Sequence, residues 1–188
     1  RVGAEGRGES VWLGWFLYRL IADFSPFAHT RGDTQRALRW QRSASSLKEA
    51  LVGNAWDGQW FKRAYFDDGQ ALGSSSNPEG RIDLIAQAWA VLSNAAPLGL
   101  QQQAMAAVEA HLVDPDAGLV RLLDPPLVNA VPSAGYIQAY PPGVRENGGQ
   151  YSHAAIWALM AQAELAKNSP AASPNGENTG DTVYRYFT

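Results

Sequence analysis

Apolar residues recur at helical spacing in five stretches of the chain, and the segments between them carry most of the reactive side chains. Over 9–24, Trp12, Phe16, Leu20 and Phe24 repeat every four residues, with Leu13, Leu17 and Ile21 beside them. That spacing predicts a helix. Ser25-Pro26 predicts its stop, because the residue before a proline avoids helical backbone. Asp33 or Thr34 is placed to cap a second helix running to about Gly53. Further helices are predicted over 81–94, 99–112 and 150–167.

The intervening segments read differently. "NAWDGQWFKRAYFDDG", 54–69, reads as a hairpin ending at Asp67-Asp68-Gly69. "GSSSNPEG", 73–80, reads as a loop. The stretch 114–149 is rich in Pro and Gly with little helical period, and a loop of that length inside a domain is usually functional. "NSPAASPNGENTGD", 168–181, is poor in hydrophobic residues and reads as a mobile insert. The last residues, "TVYRYFT", read as the start of another helix. Fold class follows as mainly α, with one β-hairpin and long loops, in a single domain spanning 1–188.

Composition narrows the function. Hydrophobic residues make up 46% and charged residues 18% of the 188, so the chain has the means to bury a core. A net charge of −3 argues against nucleic acid or an anionic membrane as partner. There is no cysteine, which excludes disulfides and thiolate chemistry. His29, His111 and His153 lie far apart, without metal-ligand spacing. The apolar run 11–22 contains Arg19 and falls short of the roughly 20 residues a bilayer span needs, so no direct membrane contact is expected. The chain opens on Arg1 rather than Met, and is expected to be a piece of something longer. Seven tryptophans allow either a large core or flat walls that stack on sugar rings.

Two constellations carry candidate chemistry. In the first, Asp67 and Asp68 precede Gly69, and an Asp-Gly pair at a hairpin tip is explained as a turn. Asp57 also precedes a glycine, but Trp56 is adjacent and Trp60 is three residues on. A carboxyl among aromatic rings loses hydration, which favours the neutral form and suits a proton donor. In the second, "YPPGVRENGGQYSHAAIW", Arg145, Glu146 and Asn147 stand side by side. Extended backbone would point at most two of them into one pocket. His153 falls in the first turn of the next helix, where free N–H groups favour an anion. Bland readings stay open beside these: a turn for Asp57, a surface ion pair for Arg145-Glu146, and an ordinary histidine on an Ala-rich helix for His153. A third stretch, "GAEGRGESVWLG", has loose glycine spacing without the strand or Lys-Ser/Thr of a phosphate loop, and reads as a flexed lead into a helix capped by Glu9 or Ser10.

Several blocks, in order, resemble a known family. "GRGESVWLGWFLYRL", "NAWDGQWFKRAYFDDGQALGSSSNPEGRIDLIAQAW", "GLVRLLDPP" and "GYIQAYPPGVRENGGQYSHAAIWALMA" are similar to the glycoside phosphorylases of glycoside hydrolase family 94. The likeness is strongest to the carboxy-terminal phosphorylase-like module of cyclic β-1,2-glucan synthases. The resemblance implies an (α/α)6 barrel, of which 188 residues would be a part, since twelve helices averaging about 11–12 residues need a longer chain. It also implies inverting phosphorolysis of a β-glucosidic bond. Asp57 fills the place of the general acid in the Trp/Tyr-Asp-Gly-Glu-Trp-type motif, with Gln59 where relatives often have Glu. Trp56, and Trp60 beside it, fall where a sugar-site wall is implied. Arg145, Glu146 and Asn147 match a Lys/Arg-Glu-Asn segment implied to line the acceptor site, and His153 matches a phosphate-holding histidine. Inorganic phosphate is then a co-substrate, with no other cofactor and no metal.

An inverting hydrolase needs two carboxyls, one of them a base on water, whereas a phosphorylase needs one, because phosphate is itself a charged nucleophile. Three readings remain: a β-1,2-glucan phosphorylase, a non-catalytic barrel piece that binds glucan or docks on its parent chain, and a phosphate-independent glucan hydrolase. Expected partners are a β-glucan oligosaccharide, phosphate, the remainder of a longer chain and a second copy. The implied location is the cytoplasm, with the parent protein attached to the bacterial inner membrane.

Overall fold

The structure, a computed structural model, describes residues 2–168 and Tyr184. About half of these are helical, and the strands are short pairs, so the protein is mainly α. In chain order the elements are β1 (Glu9–Ser10), α1 (Val11–Thr30), α2 (Thr34–Asn54), β2 (Ala64–Tyr65), β3 (Ala71–Leu72), β4 (Ile82–Asp83), α3 (Leu84–Leu92), α4 (Leu98–His111), β5 (Val113–Asp114), β6 (Leu119–Val120), β7 (Leu123–Asp124), α5 (Tyr136–Ala139) and α6 (Ser152–Asn168). Apart from Asn168, which ends α6, the segment read as a mobile insert lies outside the described residues. So does the terminal "TVYRYFT", save Tyr184.

The first helix runs past its expected stop. Pro26 lies inside α1, and the Ser25 hydroxyl donates to Ile21 O at 2.7 Å, as serine does within a helix. The helix ends instead at Arg31 and Gly32, where φ of +77° suits glycine. Asp33 then caps α2 as expected, its carboxylate accepting from Arg36 N at 3.1 Å. Gly14 lets α1 and α2 approach closely: a Cβ there would lie 2.8 Å from Leu51 Cδ2.

Which face of α1 is buried also differs from the apolar stripe. Val11, Trp15 and Ala28 turn inward, while Leu13, Leu17, Leu20, Phe24 and Phe27 are exposed. Of the four-residue stripe, Trp12 and Phe16 find aromatic neighbours and its distal half faces solvent.

The main core lies between α3, α4 and α6. Ala88 on α3 and Ala154, Ala158 and Ala161 on α6 let the two helices meet, with Met105 and Val108 of α4 filling the remainder. Helix α3 starts three residues later than predicted because Ile82 and Asp83 pair antiparallel with Asp124 and Leu123. Asp83 then caps α3 through Ile85 N and Ala86 N. A three-stranded antiparallel sheet, β1-β2-β3, joins the start of α1 to the hairpin, with Ser10 opposite Ala64 and Ala64 opposite Leu72. Its turn at Phe66–Gly69 is the predicted one, although β3 extends the hairpin beyond it. Among the described residues, no helix is long and apolar enough to cross a membrane.

Candidate active site

Helix α2 delivers the chain into a tight turn built around Asp57. Trp56 bridges to Phe61, and Asp57 N donates to Trp60 O at 3.1 Å. Gly58, at φ +104°, makes the reversal that a side chain would resist. Asp57 Oδ1 accepts from Gln59 N at 2.9 Å and Trp60 N at 3.0 Å. The turn is anchored from behind by Gln87, a fully buried amide on α3 that accepts from Phe61 N and donates to Phe61 O. Asp57 is thus held rigidly, as a reacting group should be.

The other carboxylate oxygen is claimed from seventeen residues away. Asp57 Oδ2 accepts from Ser75 N at 2.6 Å and from the Ser74 hydroxyl at 3.1 Å. The loop presenting them is closed by Asn77, whose side chain accepts from Ser74 N and donates to Ala71 O. This loop lies within a block that carries the family resemblance, but its serines are not among the candidate site residues of the sequence.

These donors overturn one expectation. Burial pushes the Asp57 carboxyl upward and is the largest single influence. The N–H groups of Trp60, Ser75 and Gln59, joined by the Ser75 side chain, together outweigh it, and Asp57 lies below the ordinary carboxylate range. The neighbouring rings therefore do not keep this acid protonated in the unliganded protein.

The two tryptophans of the segment part company. Trp56 is half-buried, its ring edge-on to Phe61 at 4.9 Å. Trp60 is only 2% exposed, and its indole N–H points at Arg81 O (2.8 Å) and Gly73 O (3.2 Å). It braces the turn and the serine loop, and as placed has no open face for a sugar.

The Arg145–Asn147 segment is a closed loop rather than extended backbone. Arg145 has φ +50°, and Gly143 N and Gly149 N donate to Asn147 O and Arg145 O. Asn147 is wholly buried: it accepts from Leu127 N and donates to Leu127 O and Tyr140 O, so it braces the loop instead of facing a ligand. Arg145 is exposed, its guanidinium 4.9 Å from the Tyr140 ring centroid. Glu146 is mostly buried; its Oε2 lies 3.5 Å from Arg145 Nε, and among the described residues no group hydrogen-bonds to that oxygen. Arg145 and Glu146 take no part in bracing the loop, but the extended backbone on which the spacing argument rested is absent here.

His153 lies in the first turn of α6 as expected, exposed, with its ring 4.3 Å from that of Trp157. Trp157 in turn meets Trp12 and Trp89. Much of the tryptophan content therefore forms an aromatic wall behind His153.

Among the described residues, no hydrogen bond, ion pair or ring contact joins Asp57 directly to Arg145, Glu146 or His153. A shared platform connects their loops instead. Arg81 Nε donates to Ser75 O, and its N–H to Asp124 O; Gly80 N donates to Pro125 O. Leu122 N donates to Gly149 O, and Leu127 is clamped to Asn147. The segment 122–127 thus lies between the serine loop and the 143–149 loop, bonded to both. Gly148 seals the junction: at φ +85°, a Cβ would fall 2.7 Å from Pro126 Cγ.

One buried ion pair escaped the sequence reading. Arg63 Nε lies 3.1 Å from Asp83 Oδ2, with side-chain exposures of 17% and 8%. Burial pushes Asp83 above the usual carboxylate range, against the pull of Arg63. The Arg63 guanidinium also reaches Ser10 Oγ and lies over Trp12. Beside it opens a cavity of about 360 Å³, lined in part by Leu127, Tyr136 and Ile137, within the size range of small-ligand pockets. Among the described residues, no cluster of three or more acidic or histidine side chains could hold a metal ion.

Comparison with known proteins places this arrangement. The profile of the Glycosyl hydrolase 94 superfamily, catalytic domain, matches residues 2–173. The chain belongs to that superfamily. It is 51% identical over 161 residues, 86% of its length, to the cyclic beta-(1,2)-glucan synthase NdvB of Rhizobium meliloti (strain 1021). It is 33% identical over 171 residues, 90% of its length, to the solabiose phosphorylase of Paenibacillus borealis. To the N,N'-diacetylchitobiose phosphorylase of Vibrio proteolyticus it is 30% identical over 168 residues, 88% of its length. The matched region is only 6% of the synthase and 22% and 21% of the two phosphorylases.

Proposed function

We propose that this chain carries the proton-donor part of an inverting glycoside phosphorylase acting on β-glucosidic bonds. The substrate class is β-1,2-glucan, cleaved with inorganic phosphate to glucose 1-phosphate in a protein akin to cyclic β-1,2-glucan synthase. The architecture is part of an (α/α)6 barrel, with residues 1–188 as one partial catalytic domain. The observation that carries this reading is Glu146, whose buried carboxylate oxygen is hydrogen-bonded by no group among the described residues. A buried acceptor left open beside an exposed guanidinium suits a ligand hydroxyl.

In the reaction, Asp57 gives its proton to the departing glycosidic oxygen as a phosphate oxygen attacks the anomeric carbon from the opposite face. The bond to the leaving sugar breaks, the bond to phosphate forms, and the configuration inverts. In reverse, the Asp57 carboxylate takes the proton of the acceptor hydroxyl. Trp56 walls the sugar site, Arg145 and Glu146 hold the acceptor sugar, and His153 with an arginine holds phosphate. Asp57 is ionised in the free protein, so it gains its proton only in the ternary complex. Phosphate supplies the like charge, and bound sugar the exclusion of water, that favour the neutral carboxyl.

The experiment is phosphate-dependent release of glucose 1-phosphate from β-1,2-oligoglucans by the full-length protein, abolished in Asp57→Asn. Absence of turnover by that protein, or glucose release without phosphate, contradicts the proposal. A second reading is favoured by the exposed Leu13, Leu17, Phe24 and Phe27 on α1: a piece that docks on its parent chain or on a second copy, binding glucan without turnover.

A further inference from the structure

The proposed function uses Asp57 but leaves the hydroxyl that touches it without a role. Asp57 Oδ2 is 3.1 Å from Ser74 Oγ, and Ser74 Oγ is 3.1 Å from Ser76 Oγ, where either atom can be the donor. Ser74 itself is buried, and its main chain is fixed by Asn77 through both N–H and carbonyl. Ser76 is exposed, so the far end of the chain of hydroxyls meets solvent. The main-chain donors to Asp57 cannot change role, because an N–H only donates. A hydroxyl donates one hydrogen and also accepts. Ser74 is therefore a hydrogen-bonded neighbour of the carboxyl that can serve both of its protonation states, beside the Ser75 side chain, which also bears on it.

We propose that Ser74 is the positioning residue that lets Asp57 exchange its proton, with Ser76 as the alternate partner of the Ser74 hydroxyl. While Asp57 is ionised, the Ser74 O–H donates to Oδ2. When Oδ2 carries a proton and no substrate is in place, that proton is donated to Ser74 Oγ, and the Ser74 O–H turns to Ser76 Oγ. When a glycosidic oxygen arrives, the carboxyl O–H turns to it and transfers the proton. Ser74 then swings back and donates to the new carboxylate. No proton is gained or lost by either serine across the cycle.

The charged groups on the packed segments stand apart from this exchange. Arg81 donates to Ser75 O, Glu79 accepts from Val128 N and Asn129 N, and the Lys62 ammonium donates to Asn54 O and Tyr65 Oη. His111 meets the Trp60 ring edge-on at 5.2 Å. None of these groups contacts the Asp57 carboxylate, whose hydrogen-bond partners are main-chain N–H groups and serine hydroxyls.

The role depends on Asp57 being the proton donor, and the two can fail separately. The experiment is the pH dependence of kcat/KM of the full-length protein in both reaction directions, for wild type, Ser74→Ala, Ser74→Thr and Ser74→Cys. Without the hydroxyl the carboxylate loses a donor. The limb due to Asp57 then moves to higher pH: phosphorolysis persists further into base, and synthesis is lost earlier on acidification. Ser74→Thr restores the wild-type limb. Ser74→Cys, a weaker donor of similar size, moves it the same way by less, and carries the test if the alanine variant does not fold. A uniform fall in rate with the limb in place would show a merely structural serine and overturn the inference. Absence of phosphate-dependent turnover in wild type would overturn the phosphorylase reading first, and this role with it.

Discussion

Two aspartates ten residues apart, each at an Asp-Gly turn or one residue before it, end in different surroundings. Asp57 and Asp67 both accept three main-chain N–H groups. Asp57 takes those of Gln59, Trp60 and Ser75; Asp67 takes those of Glu5, Arg7 and Gly8. Both lie below the ordinary carboxylate range. For Asp67 the Glu5 N–H is the largest cause; for Asp57 burial opposes the shift and the donors still win. Asp67 uses its donors to pin the N-terminal segment to the hairpin tip, in solvent. Asp57 is half-buried, is braced by Gln87 and Trp60, and alone touches a hydroxyl that can change role. Three main-chain donors thus tie a distant segment to Asp67, whereas at Asp57 two of the three come from its own turn and fix the group proposed to react.

The largest expected effect separates the two directly. Asp57→Asn lowers kcat/KM for phosphorolysis by about 10²–10⁴-fold, the range of general acid catalysis, whereas Asp67→Asn leaves it essentially unchanged. Comparable losses in both would reduce Asp57 to a turn residue. Next comes the strand between the turns. Arg63→Ala leaves Asp83 as an uncompensated buried charge and costs about 3–5 kcal/mol, read as a fall in denaturation midpoint. An unchanged midpoint would mean that the ion pair does not brace the hairpin. Smaller still, Gly58→Ala and Gly69→Ala each cost about 1–2 kcal/mol, because both glycines hold positive φ with open space around them. Only Gly58→Ala should also lower kcat. The smallest effect is in the acid dependence of stability. A carboxyl lowered on folding favours the folded state above its unfolded pKa, and that contribution fades as pH falls through the lowered folded value. Asp67→Asn is therefore less stable than wild type at neutral pH, and the gap closes on acidification. A gap that widened in acid would contradict the donor geometry.

Local signals located most helices, because caps and apolar period act over a few residues. Asp33 starts α2 as expected, and α4 and α6 fall within two residues of their predicted bounds. Pro26 misled because local hydrogen bonding carried α1 through it. The start of α3 was missed because Ile82 and Asp83 pair with a strand some forty residues on. The candidate site could be proposed from residue type, but the direction of its side chains could not. Asp57, Glu146 and His153 stood out as reactive groups, yet nothing local shows that Trp60 and Asn147 turn inward as braces. The donors that lower Asp57 come partly from Ser75, across the hairpin, so its protonation could not be read from the rings beside it.

The most direct test of the central claim is the anomeric form of the product. The full-length protein, given a β-1,2-oligoglucan and inorganic phosphate, is followed by nuclear magnetic resonance as the reaction starts. Inversion by one acid and an attacking phosphate predicts α-glucose 1-phosphate, formed only with phosphate and lost in Asp57→Asn. The β anomer, or glucose appearing without phosphate, would contradict it.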